Sequence, residues 1–199
     1  VTIGYRGSLR AVLAASDGGA HRSGDAGPIT GVLRCAADIL DLVDSLDDPA
    51  LPVIRRPSGA VVSMEGRENG VRSGTAELDI RLPEGSSPEE WMEFLRGSAA
   101  NRGVSISFRG VTPPHVEDKN NPVARALRLA IRKNGNTPRV LAKGGTADFN
   151  LASAWNCPMA AYGPGDSRLD HTSEERISLA DFHASLEILD GALPLILAG

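Results

Sequence analysis

A histidine beside an aspartate follows a turn of glycine and proline, and this segment is the clearest candidate for chemistry. The apolar run from Pro158 to Tyr162 predicts a strand, and Gly163-Pro164-Gly165 predicts a tight turn that leads to Asp170 and His171. Enzymes of mixed α/β architecture place site residues on such loops. His171 is therefore either a ligand or a loop residue paired with Asp170, and it needs partners from elsewhere in the chain.

A second candidate is Gly144-Gly145-Thr146, which follows the predicted strand Arg139 to Lys143. Successive backbone N–H groups of such a turn can line a concavity that binds an anion, with the threonine hydroxyl beside it. The same residue types also make an ordinary connection from a strand to a helix, so both interpretations stay open.

Three further side chains have both a functional and an ordinary explanation. His21 lies in a glycine-rich loop, where a solvated histidine is the ordinary case. Arg81 shares the polar face of a predicted strand with Glu77 and Asp79, where cross-strand ion pairs are expected. Asn69 precedes Gly70, and this pair is first of all a hairpin turn signal.

The elements that must position these residues form two groups. The first predicts the order βαββαβ, with two helices on one face of a four-stranded antiparallel sheet. Its elements are the strand Leu9 to Leu13, a helix opened by Pro28, the strands Val53 to Met64 and Ala76 to Leu82, a helix capped at Ser87-Pro88, and the strand Val104 to Phe108.

The second group follows the Pro113-Pro114 hinge, and we place the domain boundary between residues 111 and 112. It predicts a helix from Pro122 to about Lys133, short strands at Arg139 to Lys143 and Met159 to Tyr162, and a helix from about Leu179. That helix carries Phe182, Leu186, Leu189 and Leu193 on one face. Two short strands and two helices make a poor independent core, so we expect this group to be part of a larger domain.

Composition excludes several classes of function. The 199 residues are 41% hydrophobic but only 4% aromatic, and the net charge is −4 without a cluster of lysine and arginine. A nucleic-acid partner is therefore not expected. The apolar run Ala192 to Ala198 is too short to span a bilayer, so no membrane partner is expected. Cys35 and Cys157 form no disulfide framework, which suits the cytoplasm.

Four motifs, taken in order, resemble the zinc aminoacylase/carboxypeptidase family of metallohydrolases. They are Gly-Gly-Ala-His ending at His21, Asp79-Ile80-Arg81-Leu82-Pro83, Gly144-Gly145-Thr146-Ala147-Asp148, and the Gly163-Pro164-Gly165 turn leading to Asp170-His171-Thr172. The likeness covers essentially the whole chain, and it is strongest to the acetyl-lysine and acetyl-ornithine deacetylases. It implies a ferredoxin-like lid that also dimerises, at residues 1–111, and part of an α/β catalytic domain at residues 112–199.

The resemblance also implies roles for single residues. His171 would be a zinc ligand, and His21 would reach across a homodimer to stabilise the oxyanion at the partner's site. Arg81 and Asn69 would hold the α-carboxylate or the peptide-like end of the substrate, with Gly145 and Thr146 lining the same pocket. The implied cofactor is one or two zinc ions, with cobalt as a substitute, and the implied substrate is an N-acyl amino acid, free or attached to a carrier protein.

The remaining metal ligands of that family, and the glutamate that activates water, have no counterpart here. The chain also starts without methionine, in strand-like sequence. We therefore expect part of a longer enzyme, inactive by itself, that removes an acyl group in lysine or arginine biosynthesis. Two alternatives remain: a metallo-carboxypeptidase or dipeptidase of the same family, and a non-catalytic module that dimerises and binds an amino acid.

Overall fold

The computed structural model describes residues 1–18, 26–167 and 169–198, with Asn69 described by its backbone alone. The contacts divide the chain into two compact units. We call Tyr5–His115 with Lys143–Asn150 the sheet unit, and Val1–Gly4, Val116–Ala142 and Leu151–Gly199 the helical unit. The expected boundary after residue 111 lies close to His115. However, Val1–Gly4 belongs to the helical unit and Lys143–Asn150 belongs to the sheet unit, so no single boundary separates the two units.

The sheet unit has the predicted ferredoxin-like order. Its elements are β2 (Gly7–Asp17), α1 (Gly27–Ser45), β3 (Ser58–Asn69), β4 (Val71–Leu82), α2 (Pro88–Ala100) and β5 (Ser105–Thr112). The antiparallel sheet has the strand order β3-β4-β2-β5, so the first and third strands of the motif lie at its centre. This confirms the mixed α/β fold class and the βαββαβ motif.

Alternation along the two central strands builds the core of the sheet unit. Every second side chain of β2 and β4 is buried against α1 and α2, while the residues between them lie on the open face of the sheet. The buried set includes Leu9, Leu13, Leu78, Ile80 and Leu82 from the strands, and Val32, Ile39, Val43, Trp91 and Leu95 from the helices. Each strand therefore has one apolar and one polar face.

Local signals place the ends of these elements. Pro28 lies in the first turn of α1, where its missing N–H group costs nothing. The Ser87 hydroxyl accepts hydrogen bonds from the Glu89 and Glu90 N–H groups at the start of α2. Gly7 is required for close strand approach, because a Cβ there would lie 2.5 Å from the Thr112 carbonyl oxygen.

One predicted strand was wrong in its position. The stretch Val53 to Met64 begins as a single 3-10 turn, Val53–Arg55, and β3 starts only at Ser58. Pro52 and Pro57 flank the turn, and proline has no N–H group for a sheet ladder. The strand also runs further than predicted, to Asn69.

The helical unit contains α3 (Pro122–Lys133) and α5 (Leu179–Leu197), which both match the prediction. A short sheet has the strand order β6-β1-β7, from β1 (Thr2–Tyr5), β6 (His115–Val116) and β7 (Leu141–Lys143). The short α4 (Asp148–Ala152) has its first three residues in the sheet unit, and a second 3-10 turn covers Ser153–Trp155. The predicted strand Met159 to Tyr162 was wrong, since only Ala161 forms a bridge, to Thr2.

The core of the helical unit is small. Leu127, Ala130 and Ile131 of α3 pack with Ile188 and Ala192 of α5. The predicted apolar face of α5 lies elsewhere on the helix and is largely exposed; its side chains are Phe182, Leu186, Leu189 and Leu193. In the described part of the chain, no helix is long and apolar enough to cross a membrane.

Candidate functional site

Arg81 stands at the end of β4, on the open face of the sheet. It lies between the buried Ile80 and Leu82, and the strand register pairs it with Ser8 of β2 and Ser58 of β3. Because the pleat alternates, burial of its two neighbours turns the Arg81 side chain away from the helices. Its side chain is 32% exposed, so the guanidinium group is accessible to a ligand.

Two contacts orient the Arg81 guanidinium. Nη1 donates to Thr146 Oγ1 at 3.0 Å, and Nη2 lies 2.9 Å from Asp79 Oδ2. A guanidinium group carries more N–H donors than these two contacts use. The structure therefore brings together Arg81 and Thr146, two residues that the sequence separates by 65 positions.

The Thr146 hydroxyl is committed on both sides. It accepts from Arg81 and donates its single proton to the Arg6 carbonyl oxygen, at 3.0 Å. In this arrangement Thr146 holds Arg81 in place, and the N–H donors that these contacts leave over belong to Arg81.

The two glycines of the Gly144-Gly145-Thr146 turn, called the glycine turn below, have different surroundings. A Cβ at Gly144 would lie 2.9 Å from a Val53 methyl carbon and 3.2 Å from Arg6 Nη2, so this position is closely packed. A Cβ at Gly145 would meet nothing within 4 Å, and the residue is exposed. Gly145 is thus exposed next to Thr146, the residue that contacts Arg81.

Three arginines, Arg6, Arg56 and Arg81, act on one another near the glycine turn. Arg56 makes a bidentate pair with Asp47, at 2.6 and 2.7 Å, and Arg81 pairs with Asp79, while Arg6 binds carbonyl and hydroxyl oxygens. Burial lowers the pKa of the Arg6 guanidinium, and the positive charges of Arg81 and Arg56 lower it further. These three positive charges and the carboxylates of Asp47 and Asp79 thus act on one another near the turn.

One predicted site residue, Asn69, lies at the opposite end of the β3–β4 hairpin from Arg81. Asn69 ends β3 and pairs with Val71, which is ten residues from Arg81 along the strand, or roughly 33 Å. His21 lies outside the described residues. One copy of the chain therefore does not bring Asn69 and Arg81 to the same small ligand.

His171 belongs to the helical unit. Its backbone has a φ of 64°, which is rare for a residue with a side chain, and its N–H group donates to Glu175 Oε2 at 2.9 Å. The preceding turn, Gly163 to Gly165, lines a cavity of about 540 Å³ together with residues of α5. Glu175 thus holds the backbone of His171 in a left-handed conformation within this loop.

The described residues do not supply a metal site. Among residues 1–18, 26–167 and 169–198, no three histidine, cysteine, aspartate or glutamate side chains lie together as metal ligands would. A catalytic zinc needs about three protein ligands. His171 with its neighbours does not meet that requirement.

Sequence reasoning missed Arg6 and Asn150. Asn150 is 1% exposed, and its side-chain amide donates to the carbonyl oxygens of Tyr5, Arg6 and Pro113. Both residues contact the glycine turn of the sheet unit. The available signal was weak: an asparagine shortly after Gly-Gly-Thr, and an arginine in the Tyr5-Arg6-Gly7 break between two strands.

Curated relatives of similar sequence share one described activity. The LysW-lysine hydrolase of Deinococcus radiodurans is 32% identical over 212 residues, covering 100% of this chain and 57% of that protein. The LysW-lysine/LysW-ornithine hydrolase of Saccharolobus solfataricus is 33% identical over 110 residues, covering 55% of this chain and 31% of the relative. The chain thus spans little more than half the length of the first relative.

Solved structures show the same fold at low identity. An M20 family metallo-carboxypeptidase from Sulfolobus solfataricus superposes with a TM-score of 0.77 at 18% identity, over 98% of this chain and 59% of the other. The di-peptidase Dug1p from Saccharomyces cerevisiae gives a TM-score of 0.72 at 13% identity, over 100% and 56%. The sequence model of peptidase family M20/M25/M40 matches residues 7–194. The chain therefore belongs to peptidase family M20/M25/M40.

Proposed function

We propose that the complete protein is a metal-dependent amidohydrolase that releases an amino acid from its acyl partner, and that this chain supplies the group that recognises the carboxylate. The observation that carries the proposal is the Arg81 guanidinium, held by Thr146 and Asp79 at the open end of β4. Such a fixed fork suits a planar carboxylate, which it can bind through two parallel hydrogen bonds.

The described relatives suggest the rest of the substrate. Their names join lysine or ornithine to the protein LysW, so the acyl partner in our proposal is a carrier protein of that kind and the product is lysine or ornithine. The α-carboxylate of that amino acid is the anion assigned to Arg81. The exposed backbone of Gly145 lies on the same turn as Thr146 and faces the same ligand.

The metal is assigned to the complete protein. His171 is one zinc ligand in this proposal, and further ligands come from residues beyond the described part of this chain. Cobalt is expected to substitute for zinc. The zinc content of the full-length protein should fall when His171 is replaced by alanine, and this measurement does not depend on activity.

Two copies complete one site in this proposal. Asn69 belongs to the end of the β3–β4 hairpin that lies roughly 33 Å from Arg81, so we assign Asn69, together with His21, to the site of a partner copy. The long edge strand β3 has exposed side chains at Val61, Val62 and Met64, and β3 ends the sheet, so a second copy can pair there.

Mixing two variants that are each impaired on Nα-acetyl-lysine, assayed below its KM, tests the shared site. Full-length His21→Ala and Arg81→Met proteins, dissociated and reassociated together, should regain about a quarter of the wild-type rate, because half of the dimers then hold one intact site. No recovery, from variants that exchange subunits, would show that His21 and Arg81 act within one copy.

The carboxylate assignment is tested with a matched pair of substrates. With full-length protein, Arg81→Met should raise the KM for Nα-acetyl-lysine by on the order of a hundredfold, since a charge-assisted bidentate contact is lost. The KM for the corresponding carboxamide should change little. Arg109→Met is the control, because Arg109 lies on the same open face and pairs with Glu77 instead.

The same assays separate the alternatives. A peptidase would hydrolyse dipeptides faster than Nα-acetyl-lysine or a LysW-linked lysine, because its pocket would bind a different leaving group. A binding module would show no hydrolysis of any of them with zinc supplied, while Arg81→Met would still weaken amino-acid binding. An equal effect of Arg81→Met on the acid and the carboxamide would refute the carboxylate role.

A further inference from the structure

Arg6 is bonded to the glycine turn through both its backbone and its side chain. Its N–H group donates to the Lys143 carbonyl oxygen at 3.3 Å, and its Nε donates to the Gly144 carbonyl oxygen at 2.6 Å. Its own carbonyl oxygen accepts from Thr146 Oγ1 at 3.0 Å. The N–H group, the side chain and the carbonyl group of Arg6 therefore each contact a different residue of the segment Lys143 to Thr146.

The other end of the Arg6 guanidinium holds the start of β3. Nη1 donates to the Arg56 carbonyl oxygen at 2.7 Å and to Ser58 Oγ at 3.1 Å. Ser58 is the residue that the strand register places opposite Arg81. The guanidinium thus ties the turn to the part of the sheet from which Arg81 projects, and its planar, rigid fork suits this double attachment.

Asn150 supports the same carbonyl oxygen from the other side. Its Nδ2 lies 3.2 Å from the Arg6 carbonyl oxygen, and its Oδ1 accepts from the Ala147 N–H group at 3.0 Å. The Asn150 amide therefore bonds both the turn and the residue that orients Thr146. Since the amide is buried, each lost bond would leave a polar group unpaired.

We propose that Arg6 is a positioning residue for anion recognition: its side chain holds the Gly144 carbonyl oxygen, and so the turn from which Thr146 bonds the Arg81 guanidinium. This inference rests on the carboxylate role proposed above for Arg81. Arg6 does not touch the ligand in this proposal. Its loss leaves Arg81 charged and present, but free to take other orientations, so carboxylate binding pays a larger ordering cost.

Arg6→Lys separates geometry from charge. Lysine keeps the positive charge but cannot hold the Gly144 and Arg56 carbonyl oxygens in one planar fork. In the full-length protein, we expect the KM for Nα-acetyl-lysine to rise on the order of tenfold, with kcat changed less than about twofold. The KM for the carboxamide should stay within about twofold of wild type. A general loss of structure would instead lower activity on both substrates alike.

The double variant and a folding control complete the test. Adding Arg6→Lys to Arg81→Met should raise the KM for Nα-acetyl-lysine little further, because both substitutions weaken the same contact between Arg81 and the carboxylate. Ser58→Ala removes one anchor of Arg6 and should give a smaller rise of the same kind. If Arg6→Lys shows no cooperative thermal transition, Arg6→Gln replaces it, and hydrogen exchange of the peptide Leu141–Asn150 should be faster than in wild type.

The outcomes are distinguishable. If Arg81→Met discriminates between the acid and the carboxamide and folded Arg6→Lys does not, the inference about Arg6 is wrong and the proposed function stands. If Arg81→Met does not discriminate, the carboxylate role fails and the inference fails with it. If each single variant raises the KM for the acid but not for the carboxamide, and the double variant raises it no further, both the carboxylate role of Arg81 and the positioning role of Arg6 are supported.

Discussion

The two units differ in how completely each encloses its own apolar residues. In the sheet unit, the apolar faces of β2 and β4 are covered by α1 and α2, and Leu9, Leu13 and Leu78 are fully buried. In the helical unit, α3 and α5 cover each other along one narrow contact. The remaining face of α5 stays largely exposed, with Leu193 at 53% and Phe182 at 44%. A closed core and an open apolar face thus occur within one chain.

The difference shows that secondary structure does not by itself make a stable unit. A four-stranded sheet with two helices buries one full face of each element, whereas two helices and a short sheet leave apolar surface over. Patches of exposed leucine and phenylalanine are typical of surfaces that another protein segment covers. The sheet unit should therefore carry most of the stability of the chain.

The largest effect should come from the same substitution made in each unit. Leu78→Ala in β4 should destabilise the sheet unit by about 3 kcal/mol, because it opens a cavity in a closed core. Leu189→Ala on the exposed face of α5 should cost less than about 0.5 kcal/mol. Hydrogen exchange of peptides from β4 and α5 measures both values. Equal losses would mean that the α5 face is covered, and the contrast between the units would fail.

Loss of a helix cap should give a smaller difference between the units, and here the substitution in the helical unit should cost more than the one in the sheet unit. Asn121 caps α3 through the Ala124 N–H group, and its amide also donates to the Met159 carbonyl oxygen at 2.9 Å. Asn121→Ala should cost about 2 kcal/mol, because both contacts are lost. Ser87→Ala at the exposed start of α2 should cost about 1 kcal/mol. Asn121→Ser keeps a cap without the Met159 contact and should fall between them in urea denaturation.

The smallest effect concerns acid stability of the sheet unit. Glu77 accepts a hydrogen bond from Arg10, and with Arg109 this holds the pKa of its carboxyl group below the ordinary value. The ionised Glu77 carboxylate stabilises the folded state at pH values above the unfolded-state pKa of about 4.3. This stabilisation is lost as the pH falls through the lower folded-state pKa. Glu77→Gln should therefore flatten the change in urea midpoint between pH 6 and pH 3. An unchanged pH profile would mean that the Glu77 pair adds nothing to stability.

Periodicity predicted most of the fold because side-chain pattern and backbone repeat agree in the sheet unit. The alternation of Ala76 to Leu82 and the 3.6-residue spacing after Pro28 each identify one element. The prediction was wrong where proline overrides an apolar run. Val53–Arg55 became a 3-10 turn, and the segment after Pro158 made one bridge at Ala161 instead of a strand.

The candidate site was predictable by residue type but not by contact. Arg81 and Gly145-Thr146 could be named from their motifs, yet nothing in the spacing indicates that the Thr146 hydroxyl would bind Arg81 and the Arg6 carbonyl oxygen. His171 could also be named, but its left-handed backbone and the hydrogen bond to Glu175 could not. These features depend on hydrogen bonds that form only when distant segments meet.

By itself, the sequence determined the elements of the sheet unit, the family motifs and the residue types able to bind an anion, because these depend on local backbone preference and short-range spacing. Only the tertiary structure decided that Lys143–Asn150 joins the sheet unit and that Arg6 and Asn150 hold its turn. It also decided that Asn69 and Arg81 lie at opposite ends of the β3–β4 hairpin. Such pairings depend on how strands align in three dimensions, and a linear pattern does not encode that alignment residue by residue.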